Sequence, residues 1–262
     1  MKKIGIIGVG NMGGAIATAL CKNKYDLILS NHSKKNLEKF ENFENIKTTT
    51  SNIEVAKESD YIILAVKPNI YEKVINEINE YLTSDKVFIS IAAGFSIKSL
   101  EEMLPNRKIV MTMPNTPAMV EEAITAICPN SLIDEKEIQD IVEIFSSFGI
   151  AQVLDEMYFP AFSGSCGCLP AYVYMFIEAA SDAAVLNGMK RADAYKFIAQ
   201  SVLGSAKMLL ETNLHPGELK DMVTSPGGTT IEGVKALEDN GFRSAIISAI
   251  DASVKKSKNM GK

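Results

Sequence analysis

The sequence predicts an α/β protein, with a doubly wound, mainly parallel sheet over residues 1–154 and an all-helical part over residues 155–262. Three observations predict it. Short apolar runs alternate with helical segments as far as residue 154, the pattern of βαβ units. The first apolar run leads through a glycine-rich turn into a helix. Past residue 155 the strand pattern stops, and long alanine-rich helical segments replace it.

Residues 4–20 read IGIIGVGNMGGAIATAL. Ile4–Ile7 is a short apolar run suited to a buried strand, and Ala15 onward suits a helix. Gly8, Gly10 and Gly13 form a G-x-G-x-x-G array between them. In a strand–turn–helix, Gly8 permits the tight turn, Gly10 lets a diphosphate approach the backbone, and Gly13 lets helix and strand pack closely. Free N–H groups at the helix start, with the positive end of its dipole, would hold the diphosphate. The array therefore predicts a Rossmann-like dinucleotide site, with an ordinary glycine turn as the alternative.

Composition narrows the classes. The 262 residues are 47% hydrophobic and 23% charged, a balance typical of globular domains. A net charge of −5 offers no broad basic surface, so no nucleic-acid partner is expected. No unbroken apolar run approaches the roughly 18 residues of a membrane span, so no membrane partner is expected. Cys21, Cys128, Cys166 and Cys168 show no C-x-x-C pair, and His32 and His215 lie far apart, so no metal site is expected. The simplest reading is a reduced, cytoplasmic protein.

Leu27–Ser30 is placed to be the second strand of the βαβ unit. An NAD site puts Asp or Glu at the end of this strand, for the ribose 2′-hydroxyl. Here the sequence runs Asn31-His32-Ser33-Lys34-Lys35, with no acid and two cations. That favours a 2′-phosphate, and hence NADPH, with NADH as the alternative. A solvated loop capped by Ser33 is the structural alternative. Residues 46–50 suggest a minor strand, and Ser51 opens a capping-box pattern with Glu54. Residues 61–66 form a strong strand followed by Lys67-Pro68-Asn69, and residues 86–91 form another followed by Ala92-Ala93-Gly94. Lys67 falls beyond a strand's carboxyl end, where ligands of such sheets sit. Ala92 and Ala93 leave backbone against which a flat ring can lie. Helices are expected over 70–82, 97–104 and 134–148, and further strands over 108–113, 123–128 and 150–154. Asn115 follows one of those strands within Pro114-Asn115-Thr116-Pro117.

In the second part, helices are expected over 170–187, 191–212, 229–240 and 243–258. Several are apolar or small on more than one face, which predicts burial against a second subunit. A self-contained bundle is the alternative. The most informative stretch is Ser225-Pro226-Gly227-Gly228-Thr229-Thr230. Two glycines and two hydroxyls ahead of a helix make an anion cradle for a small carboxylate. It lacks the lysine of a P-loop, and a plain capped loop is the other reading.

Taken in order, GVGNMGGAI, AVKP at 65–68, MPNTP at 113–117 and HPGELKDMVTSPGGTTIEGVKALEDNGFR at 215–243 resemble the pyrroline-5-carboxylate reductase family over essentially the full chain. The resemblance implies reduction of the cyclic imine 1-pyrroline-5-carboxylate to L-proline with NAD(P)H. It also implies a helical domain interlocking two subunits, a homodimer often built into a ring of dimers. Gly8, Gly10, Asn11 and Met12 match the family's diphosphate loop. Asn31, Ser33 and Lys34 match its adenosine contacts. Ala65, Lys67, Pro68, Ala92 and Ala93 match the strand ends near the nicotinamide. Gly228, Thr229 and Thr230 match the substrate-carboxylate loop, and Thr230 matches the threonine beside the ring nitrogen. One segment departs: the family's SGSGPAY is here Cys166-Gly167-Cys168-Leu169-Pro170-Ala171-Tyr172, with cysteines in place of serines and a leucine in place of a glycine in the turn before the long helix.

Two other readings share this plan. A β-hydroxyacid dehydrogenase would use a lysine acid on the interdomain helix, but residues 155–188 contain no lysine. A catalytically silent NADPH-binding sensor would not need the 225–230 cradle.

Overall fold

The computed structural model describes residues 2–260. These fall into two compact units, Met1–Cys168 with Ser253–Lys262, and Leu169–Ala252. The division thus follows Cys168, later than the boundary at 154/155 expected from composition, because a run of helical turns still packs on the first unit.

The first unit is an eight-stranded sheet in the order β3-β2-β1-β4-β5-β6-β7-β8. In chain order its elements are β1 (Ile4–Ile7), α1 (Asn11–Lys22), β2 (Leu27–Ser30), β3 (Ile46–Thr49), α2 (Asn52–Glu58), β4 (Tyr61–Leu64), α3 (Tyr71–Ile78), β5 (Val87–Ser90), α4 (Ile97–Met103), β6 (Lys108–Pro114), β7 (Ala123–Pro129), α5 (Glu135–Ser146), β8 (Gly149–Val153) and α6 (Phe159–Phe162). Every pairing is parallel except that of β6 with β7. A reversal there needs only the short 3₁₀ turn Thr116–Val120, whereas parallel neighbours need a helical crossover.

The central strands β1, β2, β4 and β5 are buried along their whole length. Covered on both faces, they read as continuous apolar runs rather than alternating ones. One core cluster packs α1 and α5 on one face, and a second packs α2, α3 and α4 on the other. Helix ends follow local chemistry. Asp134 and Glu137 close a full capping box on α5, and Ser96 with Ser99 closes one on α4. Ser51 caps α2 by accepting from the Glu54 amide, but the Glu54 carboxylate pairs with Lys47 and Thr49, so only half of the expected box forms.

The second unit is helical: α7 (Leu169–Leu186), α8 (Arg191–Thr212), α9 (Pro216–Met222), α10 (Thr229–Asp239) and most of α11 (Phe242–Lys258). The helix α9 was not read from sequence; Pro216 sits in its first turn and His215 Nδ1 accepts from the Gly217 amide at 3.1 Å. Among the described residues of this unit only Ser181 and Ala194 are buried.

The helical run Glu156–Leu186, with a bend at Cys168, is by length and composition apolar enough to cross a bilayer. A count of unbroken apolar residues passes over it, because serines, glycines and prolines interrupt it. Residues 157–177 carry no charge.

Candidate active site

Strand order reverses between β1 and β4, which opens a crevice at the carboxyl ends of these two strands. This is where α/β sheets of this kind bind ligands. The Gly8–Gly13 turn lies at that point, and each glycine has a separate physical reason. Gly8 has φ +98°, and a side chain there would meet the Ala65 backbone at 2.9 Å. A methyl on Gly13 would overlap the Gly8 carbonyl oxygen and come within 2.8 Å of the Ala65 Cβ, so helix and strands approach as closely as they do only without it. At Gly10 a methyl would meet nothing within 4 Å. Gly10 is also the N-cap of α1 and has no side chain to satisfy the first amides of the helix. The donors at the start of α1 thus face open space, which suits a diphosphate.

The adenosine-side loop is tied to this turn. Asn31 Oδ1 accepts from the Val9 amide at 3.1 Å, and its amide group donates to the Ser33 carbonyl at 2.9 Å. Asn36 donates to the Val9 carbonyl at 2.8 Å. Ser33 makes no side-chain cap, contrary to the capped-loop alternative. Val9, Gly10, Asn11, Lys35, Asn36, Glu38 and Lys39 line a cavity of about 410 Å³. Lys35, Asn36 and Lys39 were not among the expected site residues. The missed signal is the spacing of Lys34, Lys35 and Lys39 on two consecutive 3₁₀ turns, with Lys39 lying over the Phe40 ring and reaching toward Thr18 at 3.4 Å. Glu38 is the one acid among them.

On the other side of the crevice, Ala65 donates to the Ile7 carbonyl at 2.8 Å, and Lys67 and Pro68 follow as exposed residues opening a 3₁₀ turn. Ala92 is buried and Ala93 half-buried at the end of β5. Beneath them lies a buried polar cluster. Tyr71 donates to the Leu64 carbonyl at 2.7 Å and stands 3.1 Å from Ser90 Oγ, while Thr112 donates to the Ser90 carbonyl at 3.1 Å. Burial pushes the Tyr71 phenol up to about 12, so it remains a hydroxyl at any physiological pH.

Beside Gly94 the last turn of α11 returns to the first unit. A side chain on Gly94 would stand 3.5 Å from Met260, and Ser257 and Lys258 join Ala92, Phe95 and Met113 around a cavity of about 200 Å³. Asn115 has a structural task. Its Oδ1 accepts from the Ile124 amide at 3.1 Å and its Nδ2 donates to the Cys166 carbonyl at 3.3 Å. The departing turn Ser163–Gly167 is a π-helical turn in which the Cys168 amide donates to the Ser163 carbonyl at 3.0 Å; both cysteines are free thiols.

The second unit carries the other expected loop. Gly227 has φ +66°, and Gly228 is the N-cap of α10 without a side-chain cap. A methyl on Gly228 would collide with Ser225 Oγ. Thr229 and Thr230 occupy the first two positions of α10 with exposed side chains. The arrangement is an uncapped helix start flanked by two available hydroxyls, able to receive a small anion.

Residues 156–260 match the family model described as pyrroline-5-carboxylate reductase dimerisation, and residues 3–94 match one described as NADP oxidoreductase, coenzyme F420-dependent. The pyrroline-5-carboxylate reductase of Escherichia coli K12 is 47% identical over the whole chain and 99% of its own length. The crystal structure of Plasmodium falciparum pyrroline carboxylate reductase with NADP bound superposes with a TM-score of 0.89 at 37% identity, covering 100% of this chain and 98% of that one. A pyrroline-5-carboxylate reductase from Coxiella burnetii gives 0.93 at 32% identity, covering 100% of this chain and 99% of that one. With the two glycine-lined loops in place and a full-length match at this identity, the chain belongs to the pyrroline-5-carboxylate reductase family.

Proposed function

We propose that this protein reduces 1-pyrroline-5-carboxylate to L-proline with NADPH, the last step of proline formation. The full-length identity to reductases of this activity carries the reading. The first unit fits the cofactor: the open space over Gly10 and the uncapped start of α1 suit the diphosphate. Asn31, Ser33 and Lys34, with Lys35 and Lys39, would hold the adenosine end and its 2′-phosphate. Ala65, Lys67, Pro68, Ala92 and Ala93 would flank the nicotinamide. NADPH, when bound, supplies the hydride.

The chain's own task is then placement and charge. The amides of Gly228, Thr229 and Thr230 hold the substrate carboxylate at the start of α10. The Thr230 hydroxyl accepts from the protonated ring nitrogen and fixes the face presented for reduction. Protonation makes the imine carbon electrophilic, and no histidine is required. The β-hydroxyacid alternative lacks its lysine between residues 155 and 188.

Self-association accompanies this reading. The family model for dimerisation covers the second unit, and an apolar cavity of about 490 Å³ there is lined by Tyr172, Phe176, Ile198, Val202, Phe242 and Ile246. A homodimer burying these faces also accounts for the apolar run 156–186 without a membrane. Assembly into a ring of dimers and a cytoplasmic location belong to the same proposal.

The test is loss of reduced-nicotinamide absorbance on mixing protein, NADPH and the imine, with proline as product. Thr230→Ala should lower kcat on the order of 100-fold while NADPH binding is unchanged. Unaltered turnover would take Thr230 out of the mechanism, and turnover of a hydroxyacid instead of the imine would favour the dehydrogenase.

A further inference from the structure

Tyr71 opens α3 and is wholly buried, with its ring stacked on Phe95 at 4.6 Å between centroids and 21° between planes. Its hydroxyl joins two strand ends. It donates to the Leu64 carbonyl at 2.7 Å, the last residue of β4, and lies 3.1 Å from Ser90 Oγ, the last residue of β5. Ser90 Oγ in turn accepts from the Ala92 amide at 3.4 Å. Counting protons fixes the direction of this chain. The single Tyr71 proton goes to Leu64, so Ser90 must donate to Tyr71. The order is then Ala92 N–H to Ser90, Ser90 O–H to Tyr71, Tyr71 O–H to Leu64.

The relay stands where the sheet's own bonding gives out. Leu64 and Ser90 are partners in register, and the next ladder bond, from the Ile91 amide to the Leu64 carbonyl, is stretched to 3.5 Å. Beyond these residues come the two loops that begin with Ala65 and with Ala92. A phenylalanine at 71 would fill the same volume and keep the aromatic stack. It would leave the Leu64 carbonyl with only the stretched bond and the Ser90 hydroxyl without its acceptor.

We propose that Tyr71 is a positioning residue for the cofactor. Through Leu64, Ser90 and Phe95 it holds the 65–68 and 92–95 loops at one separation, the width of the slot for the nicotinamide ring. The inference rests on the reading above, in which these two loops flank that ring.

The test is NADPH affinity, read from the fluorescence of the bound cofactor, alongside steady-state kinetics. Tyr71→Phe should raise the NADPH Kd on the order of tenfold and leave KM for the imine within about twofold. Ser90→Ala should do the same. The double variant should be no worse than either single one, because both break one chain of bonds. Tyr61→Phe is the control. Tyr61 is an equally buried tyrosine at the opposite end of β4, donating to Asp140 at 2.8 Å, and its loss should lower thermal stability without changing NADPH affinity. Wild-type affinity in Tyr71→Phe would overturn the inference alone, as would an equal loss in Tyr61→Phe. Failure of the wild type to bind NADPH would overturn the underlying reading, and the inference with it.

Discussion

At the scale of single residues, the proposed cofactor choice turns on charge at the end of β2. Asn31 occupies the position where an acid would repel a 2′-phosphate, and its side chain is held by Val9 and Ser33. Lys35 and Lys39 line the adjoining cavity. Replacing both by alanine should raise KM for NADPH about 10- to 100-fold and change KM for NADH less than threefold, since on the proposed reading each lysine would act as a point charge on the 2′-phosphate. Comparing the two cofactors in one assay checks this. The glycine turn was legible in the sequence because its constraint is steric and local: Gly8 and Gly13 have nowhere to put a Cβ. Lys39 was not, because its place depends on the path of the two 3₁₀ turns. Asn115 could be located at a strand end, but its commitment to Ile124 and Cys166 is a tertiary fact.

At the scale of elements, α5 shows how one side chain serves two purposes. Glu137 closes the capping box with Asp134 and pairs with Lys108 at 2.6 Å. The pair is mostly out of water, with Glu137 only 6% and Lys108 24% exposed. Lys108→Met would leave a buried carboxylate without its cation and destabilise the fold by about 2 kcal/mol, less than for a fully buried pair. Denaturant titration would register it as a lowered midpoint at unchanged slope. The strand runs were readable because central parallel strands are continuously apolar. The reversal at β7 was not, since an antiparallel strand of the same composition looks alike. The helix α9 was missed for want of an apolar period in its seven residues; its proline and histidine cap are the only local marks.

At the scale of the molecule, two ledgers of surface matter. The helical unit leaves Phe176 46%, Phe197 53% and Ile247 67% exposed, large apolar side chains that a partner surface would cover. Phe176→Asp should dissociate the assembly, seen as a smaller species in sedimentation, with activity falling in parallel. An unchanged sedimentation coefficient would place the interface elsewhere. The multi-faced apolar helices made association readable from sequence, whereas its geometry lies in no local pattern.

Acid behaviour is the other whole-molecule property. Lys3 and Lys47 hold the Glu58 carboxyl down to about 2, and Lys47 with Thr49 lowers Glu54. Because these values lie below the ordinary 4.5, the stabilisation is complete above that pH and is lost as pH falls toward 2. These groups are near water, so the effect is small and screened by salt. Lys47→Met should therefore flatten the melting temperature's fall between pH 5 and 3 (~2 pH units) at low ionic strength, and the difference from wild type should vanish in about 1 M salt.

The return of α11 to the first unit bears on how the protein is handled. Met260 rests against Gly94, so a dye or crosslinker attached at residue 260 would sit next to the turn that follows β5. Cofactor kinetics should be compared before and after such labelling, before the labelled protein is taken to behave as the native one.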